Sequence, residues 1–137
     1  MYVFDYEKRV RYAETDKMGY LYYGHYAKFY EIGRVESLRS LGLSYKKMED
    51  EHNVMLPVVH LEVRYIAPAY YDESIKIRSI LKEMPSKMIT FDHELYNSEN
   101  KIINKARVKL FFIDMTSGDR VSAPEYLTEA LSNYFDD

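Results

Sequence analysis

The chain has no cysteine, no tryptophan, only five glycines and four prolines, and little charge imbalance. Without cysteine, disulfides, thiolate metal sites and cysteine nucleophiles are excluded together. Nineteen Lys and Arg residues stand against twenty-two Asp and Glu, a net charge of −3. That leaves no basic excess to neutralise a phosphate backbone, which disfavours nucleic-acid binding as a main role. No apolar run approaches the roughly 18 residues of a membrane span. Met1-Tyr2-Val3-Phe4-Asp5 lacks the basic start and long apolar stretch of a signal peptide, so a soluble cytoplasmic protein is expected. Internal repeats, low-complexity segments and Gly/Ser/Pro linkers are also missing, and residues 1–137 read as a single domain.

What is present fits a folded core: 47% of the residues are apolar and 30% charged. Fifteen tyrosines stand beside six phenylalanines. Tyrosines need one dry end and one polar partner, which suits a groove or a subunit interface, although compositional drift would give the same count.

Residues 2–14 alternate as a half-buried strand, with Tyr2, Phe4, Tyr6, Val10 and Tyr12 on one face together with Lys8. Thr15 to Leu21 reads as a loop turning at Gly19. A helix is predicted from Tyr22 to Leu41, apolar over so wide an arc that it should be central. Gly42 is placed to end it in a left-handed cap, and Ser44 to cap a second helix reaching His52. Four strands follow over 54–68, 74–84, 87–97 and 102–115, joined by connections short enough to make them antiparallel hairpins. A short helix after Pro124 ends the chain. Five long strands and one apolar helix pack most economically as an α+β domain, with the sheet curled around the helix. Such a sheet keeps two edges and an outer face, so at least a dimer is expected.

Few residues suggest chemistry. His25, His52, His60 and His93 are scattered without the i, i+4 spacing of a helical metal site, and no metal or cofactor is expected. No Gly-rich phosphate loop and no G-x-S-x-G elbow occurs. Glu31/Arg34 and Glu36/Arg39 have the spacing of helix-stabilising pairs. The remaining candidate is the segment from Tyr12 to Tyr26. Asp16 lies in its loop, and by itself it could be a plain turn carboxylate. Tyr23 and Gly24 fall at the helix start, where backbone N–H groups lack intrahelical acceptors and can hold a developing oxyanion. A carboxylate and such amides, separated by a glycine turn, could flank one carbonyl carbon.

At this segment the sequence resembles the 4-hydroxybenzoyl-CoA thioesterase family of hotdog proteins, including acyl-CoA thioesterases linked to the Tol–Pal system. The residues that carry the likeness are Val10, Thr15-Asp16, Gly19, Tyr22-Tyr23, Tyr26 and Glu31-Ile-Gly-Arg34. Leu56-Pro57-Val58-Val59, the run from Arg64 to Asp72, Ile113-Asp114, Gly118 and Pro124 extend it over about residues 5–130. The resemblance implies a five-stranded antiparallel sheet around a long central helix, in a homodimer or homotetramer with active sites at subunit interfaces. It also implies hydrolysis of an acyl-CoA thioester with Asp16 as nucleophile or general base. Tyr12, four residues before Asp16, would orient the carboxylate or pack in the core. Lys87 matches a basic position near the nucleotide of CoA. Some members carry a histidine seven residues after the aspartate; here that place is Tyr23, and His25 two residues later reads as a surface or pocket-rim residue beside the substrate. Glu31 stands where the 4-hydroxybenzoyl-CoA enzymes hold a substrate-contacting acid, and it reads as structural here. An acyl-carrier-protein thioesterase, a hotdog hydratase and a non-catalytic acyl binder are the alternatives.

Overall fold

Strands with one apolar face must bury it, and a helix with a wide apolar arc is a fitting cover. The computed structural model of the protein describes residues 1–135 and has this arrangement. Asp136 and Asp137, within the expected 1–137 span, lie outside the described residues. β1 (Tyr2–Arg9) leads through a 3-10 turn (Tyr12–Glu14) and a loop to a second 3-10 turn (Tyr23–His25), which runs directly into α1 (Tyr26–Ser40). Then come α2 (Tyr45–Asp50), β2 (Val54–Met55), β3 (Val58–Tyr65), β4 (Ser74–Leu81), β5 (Met88–Tyr96), β6 (Ile102–Asp114), β7 (Arg120–Val121) and α3 (Glu125–Leu131). The long strands pair antiparallel in the order β1-β4-β5-β6-β3, while β2 and β7 pair with the last residues of β6. α1 packs against β1 and β4. This is the α+β hotdog arrangement expected, with the two short strands added. No helix among the described residues is long and apolar enough to cross a membrane.

Several boundaries shift for local reasons. β1 stops at Arg9 because Val10 leaves the ladder: its N–H donates to the Glu73 carbonyl, and its own carbonyl accepts from the Asp72 amide. The expected strand over 54–68 is split at Pro57, which has no N–H to give a ladder. Gly42 does adopt a positive φ, +82°, just past α1. On β1 the inward positions are Tyr2, Phe4 and Lys8, whereas Tyr6 and Tyr12 are exposed. Tyr22, Tyr23 and Ala27 also fall outside the buried stripe of the helix.

α1 lies close on the sheet because Gly33 has no side chain. A Cβ there would sit 2.6 Å from Ser79 Oγ and 2.7 Å from Ile77 Cγ2. Beneath it runs a buried polar row: His93 Nδ1 lies 3.1 Å from Ser79 Oγ, and the Tyr30 hydroxyl bonds Asn104 Oδ1. Burial, with the nearby Arg34 charge adding to it, lowers the His93 pKa to about 3, so this imidazole is neutral. Arg34 is itself buried, and its guanidinium makes no ion pair with Glu31. The expected pair forms only at Glu36 and Arg39.

β4 and β5 alternate strictly between buried and half-buried positions. β3 does not: it lies at the sheet edge, and all of its residues but Val63 are exposed, including Val58, Val59, Leu61 and Tyr65. By its register Val58, Leu61, Val63 and Tyr65 share the face of Leu110, Val108 and Ala106, while His60, Glu62 and Arg64 stand on the other face with Lys109, Arg107 and Lys105. An exposed edge strand with an apolar face is a template for pairing.

Candidate active site

The site begins with a turn that the sequence builds around Asp16. Its Oδ1 accepts from the backbone N–H of Met18 at 2.9 Å and of Tyr20 at 3.2 Å. The Asp16 N–H donates to the Tyr20 carbonyl at 2.9 Å, and the Gly19 N–H donates to the Asp16 carbonyl at 3.0 Å. Gly19 closes this turn with φ +80°, a conformation that β-carbons disfavour. The loop is then pinned to its surroundings, since Thr15 bridges Leu21, Tyr20 bridges Tyr70, and the Leu21 N–H donates to the Ala69 carbonyl at 2.8 Å. Oδ1 is therefore committed to the turn. Oδ2 takes no hydrogen bond from the described residues.

The second component is the start of the central helix. The Tyr22 N–H donates to the Glu14 carbonyl at 2.9 Å, and the His25 N–H donates to the Tyr22 carbonyl at 2.9 Å. Between them, the Tyr23 and Gly24 amides have no acceptor among the described residues. These are the orphan donors expected at a helix N-terminus. Gly24 is exposed, and a Cβ there would meet only the exposed Tyr22 ring, at 2.8 Å.

Asp16 and Tyr23 line one cavity of about 340 Å³, whose other walls include Tyr20, Tyr26, Tyr65 and Ile66. The Tyr26 and Tyr65 rings meet edge to face at 5.1 Å, and the Tyr65 hydroxyl donates to the Tyr23 carbonyl at 3.3 Å. Burial, together with the Tyr65 phenol and the Asp16 carboxylate, raises the Tyr26 pKa against a hydrogen bond at Ala69, so Tyr26 stays a neutral hydroxyl. Tyr65 escaped the sequence reading because it sits on β3, far along the chain. Only its place in the Arg64-Tyr65-Ile66-Ala67-Pro68 run marked it.

The other sequence candidates are placed differently. Tyr12 is 80% exposed and rests edge-on against Tyr71, so it neither orients Asp16 nor packs in the core. Orientation of the carboxylate comes from the Met18 and Tyr20 amides. His25 is half-buried beside the Tyr22 ring and does not line the cavity. Lys87 precedes β5, whereas Asp16 lies beyond the other end of the sheet, near Tyr70 and Leu21. The nine residues of β5 alone span about 26 Å at roughly 3.3 Å per residue, so one subunit does not bring the two together. Lys87 instead lines a separate cavity of about 390 Å³ with Lys82, Lys109 and Arg120, where Asp92 engages Arg107 at 2.9 Å. Among the described residues, no group of three His, Asp or Glu side chains could hold a metal.

Comparison with known proteins gives this geometry a context. The family profile of the Thioesterase-like superfamily matches residues 10–131. The chain is 32% identical over 112 residues to the acyl-CoA thioester hydrolase YbgC of Escherichia coli O6:H1, covering 82% of this chain and 83% of that one. With the acyl-CoA thioesterase YbgC of Haemophilus influenzae, identity is 27% over 127 residues, covering 93% of each. The solved DHNA-CoA thioesterase of Staphylococcus aureus superposes with a TM-score of 0.89 at 28% identity, over 98% of this chain and 91% of that one.

Proposed function

The chain belongs to the thioesterase-like superfamily, and from that membership we propose that it hydrolyses acyl-CoA thioesters with Asp16 as the reacting carboxylate. One observation carries the reading: Asp16, with an oxygen free of hydrogen bonds, and Tyr23, with an unclaimed amide, line the same largely apolar cavity. The thioester carbonyl lies against the helix start, and its oxygen accepts from the Tyr23 and Gly24 N–H groups as negative charge develops. Asp16 Oδ2 either attacks the carbonyl carbon, giving a mixed anhydride that water then opens, or takes the proton of an attacking water. Both routes break the C–S bond, release CoA as its thiolate and add one water in total. A thiolate leaves readily, so no strong general acid is required. The acyl chain occupies the cavity between Tyr20, Tyr26, Tyr65 and Ile66. The Thr15-Asp16 and Gly19 spacing also supports the narrower resemblance to 4-hydroxybenzoyl-CoA thioesterases.

Purified protein assayed against a panel of acyl-CoA esters, with free thiol as the readout, tests this. CoA release well above the spontaneous rate from at least one ester is expected. No release from any member of the panel overturns the reading.

The working unit is a homodimer or a homotetramer. Antiparallel pairing of β3 with its copy would cover the exposed Val58, Val59 and Leu61. It would also set the start of the partner's β3 beside Tyr65 at the cavity mouth. In this chain Val58, Leu110 and Ile89 lie in one row across β3, β6 and β5, two residues from Lys87. The partner's Lys87 therefore comes within three strands of this cavity, about 14 Å at roughly 4.8 Å per strand, a reach suited to the phosphates of CoA. Light scattering should give two or four times 16.4 kDa. A mass of 16.4 kDa at every concentration overturns the shared site.

A further inference from the structure

An ionised carboxylate is costly to bury unless several donors surround it. Glu14 is only 2% exposed and has those donors. Its Oε1 accepts from the Arg11 N–H at 2.8 Å and from Lys8 Nζ at 3.0 Å. Its Oε2 accepts from Lys28 Nζ at 2.9 Å. Burial alone would raise its pKa, but the bonds from Lys28, the Arg11 amide and Lys8 outweigh that and hold it at about 2. Glu14 is thus charged at any working pH. Lys8 belongs to β1, where its ammonium also rests 4.7 Å above the Phe29 ring, and Lys28 belongs to the first turn of α1.

The main chain of Glu14 makes a further tie. Its carbonyl accepts from the Tyr22 N–H, the amide just before the two orphan donors of Tyr23 and Gly24. Two residues after Glu14 comes Asp16. One residue therefore fastens the last strand residues before the loop, the 3-10 turn that opens it, the helix that closes it and the peptide next to the oxyanion donors. Glu14 does not line the cavity and touches no substrate there.

We propose that Glu14, gripped by Lys8 and Lys28, is a positioning residue that fixes the distance between the Asp16 carboxylate and the Tyr23 and Gly24 amides. The proposal rests on the reading that these groups carry the hydrolysis. Attack on a thioester needs the carboxylate and the oxyanion donors held on opposite sides of one carbon, and a displacement near 1 Å between them can cost about a hundredfold in rate. The tie to Lys28 is the part of the clamp that joins the loop to the helix directly through side chains.

The test separates this positioning from folding and from the function itself. Lys28 is 53% exposed, so Lys28→Met removes one arm of the clamp without opening the core. It should lower kcat about tenfold with KM within about twofold of wild type, and Lys28→Arg should restore kcat. Glu14→Gln should lower kcat about a hundredfold. Hydrogen exchange of residues 15–25 should quicken in Lys28→Met and Glu14→Gln, with β4, β5 and β6 unchanged. Wild-type kcat in Lys28→Met and Glu14→Gln, beside an inactive Asp16→Asn, overturns the positioning role and leaves the function standing. Loss of kcat that Lys28→Arg does not restore also overturns it, as does unaltered exchange over 15–25. If Glu14→Gln does not fold, Lys28→Met and Lys28→Arg decide alone. If wild-type protein cleaves no thioester, the functional reading fails, and the exchange comparison still decides whether the clamp exists.

Discussion

Asp16→Asn is expected to remove nearly all acyl-CoA hydrolysis, by about a hundred- to ten-thousandfold, while the protein keeps its fold and its oligomeric state. The reason lies in the division of labour between the two carboxylate oxygens. Oδ1 holds the turn by accepting from the Met18 and Tyr20 amides, and the carbonyl oxygen of an asparagine accepts equally well. What changes is Oδ2, which becomes an NH2 group that is neither a nucleophile nor a base. Asp16→Ala, by contrast, loses both turn bonds and should lower the thermal midpoint as well as the rate. His25→Ala should cost far less than either, since His25 packs beside Tyr22 outside the cavity. Activity of Asp16→Asn within tenfold of wild type would take Asp16 out of the mechanism.

The residues legible in the sequence are those whose signal is local. The Thr15-Asp16 turn with Gly19 at positive φ is written in a few consecutive positions, and so is the helix start at Tyr23. The alternation of β4 and β5 was readable because both strands lie inside the sheet, each with one face on the core. β3 broke that pattern because it is an edge strand exposed on both faces, and its apolar residues await a surface outside the subunit. Charged residues with buried partners were the other blind spot. Lys8 read as the one charge on the apolar face of the first strand and Glu14 carried no signal of its own; the fold brings Lys8 and Lys28, on the first turn of α1, onto the same Glu14 carboxylate. Arg34 read as half of an i, i+3 pair with Glu31, yet it is buried above the sheet near His93. Lys87 matched a basic position near the nucleotide of CoA, but its place opposite the Asp16 end of the sheet depends on the register of β5 with β6, which no short window encodes.

Backbone chemistry at the helix start gives the second large expected effect. Gly24→Pro should lower turnover by roughly a hundred- to a thousandfold, the usual result of losing one oxyanion donor. Proline deletes the Gly24 N–H, and it also disfavours the helical conformation at the preceding residue, Tyr23, whose amide is the other unclaimed donor. Gly24→Ala separates the two causes. It keeps the N–H and adds a Cβ that would meet the Tyr22 ring at 2.8 Å, an exposed ring free to rotate away, so most activity should survive. Tyr23→Phe removes only the ring hydroxyl of a residue that is 67% exposed and leaves the amide in place; it too should keep most turnover. The three variants are compared by kcat on the best ester of the panel, with circular dichroism confirming the fold. A hundredfold loss in Tyr23→Phe, in a folded protein, would make the phenol a chemical participant and demote the helix-end amides. Full activity in Gly24→Pro would exclude the Gly24 amide as an oxyanion donor.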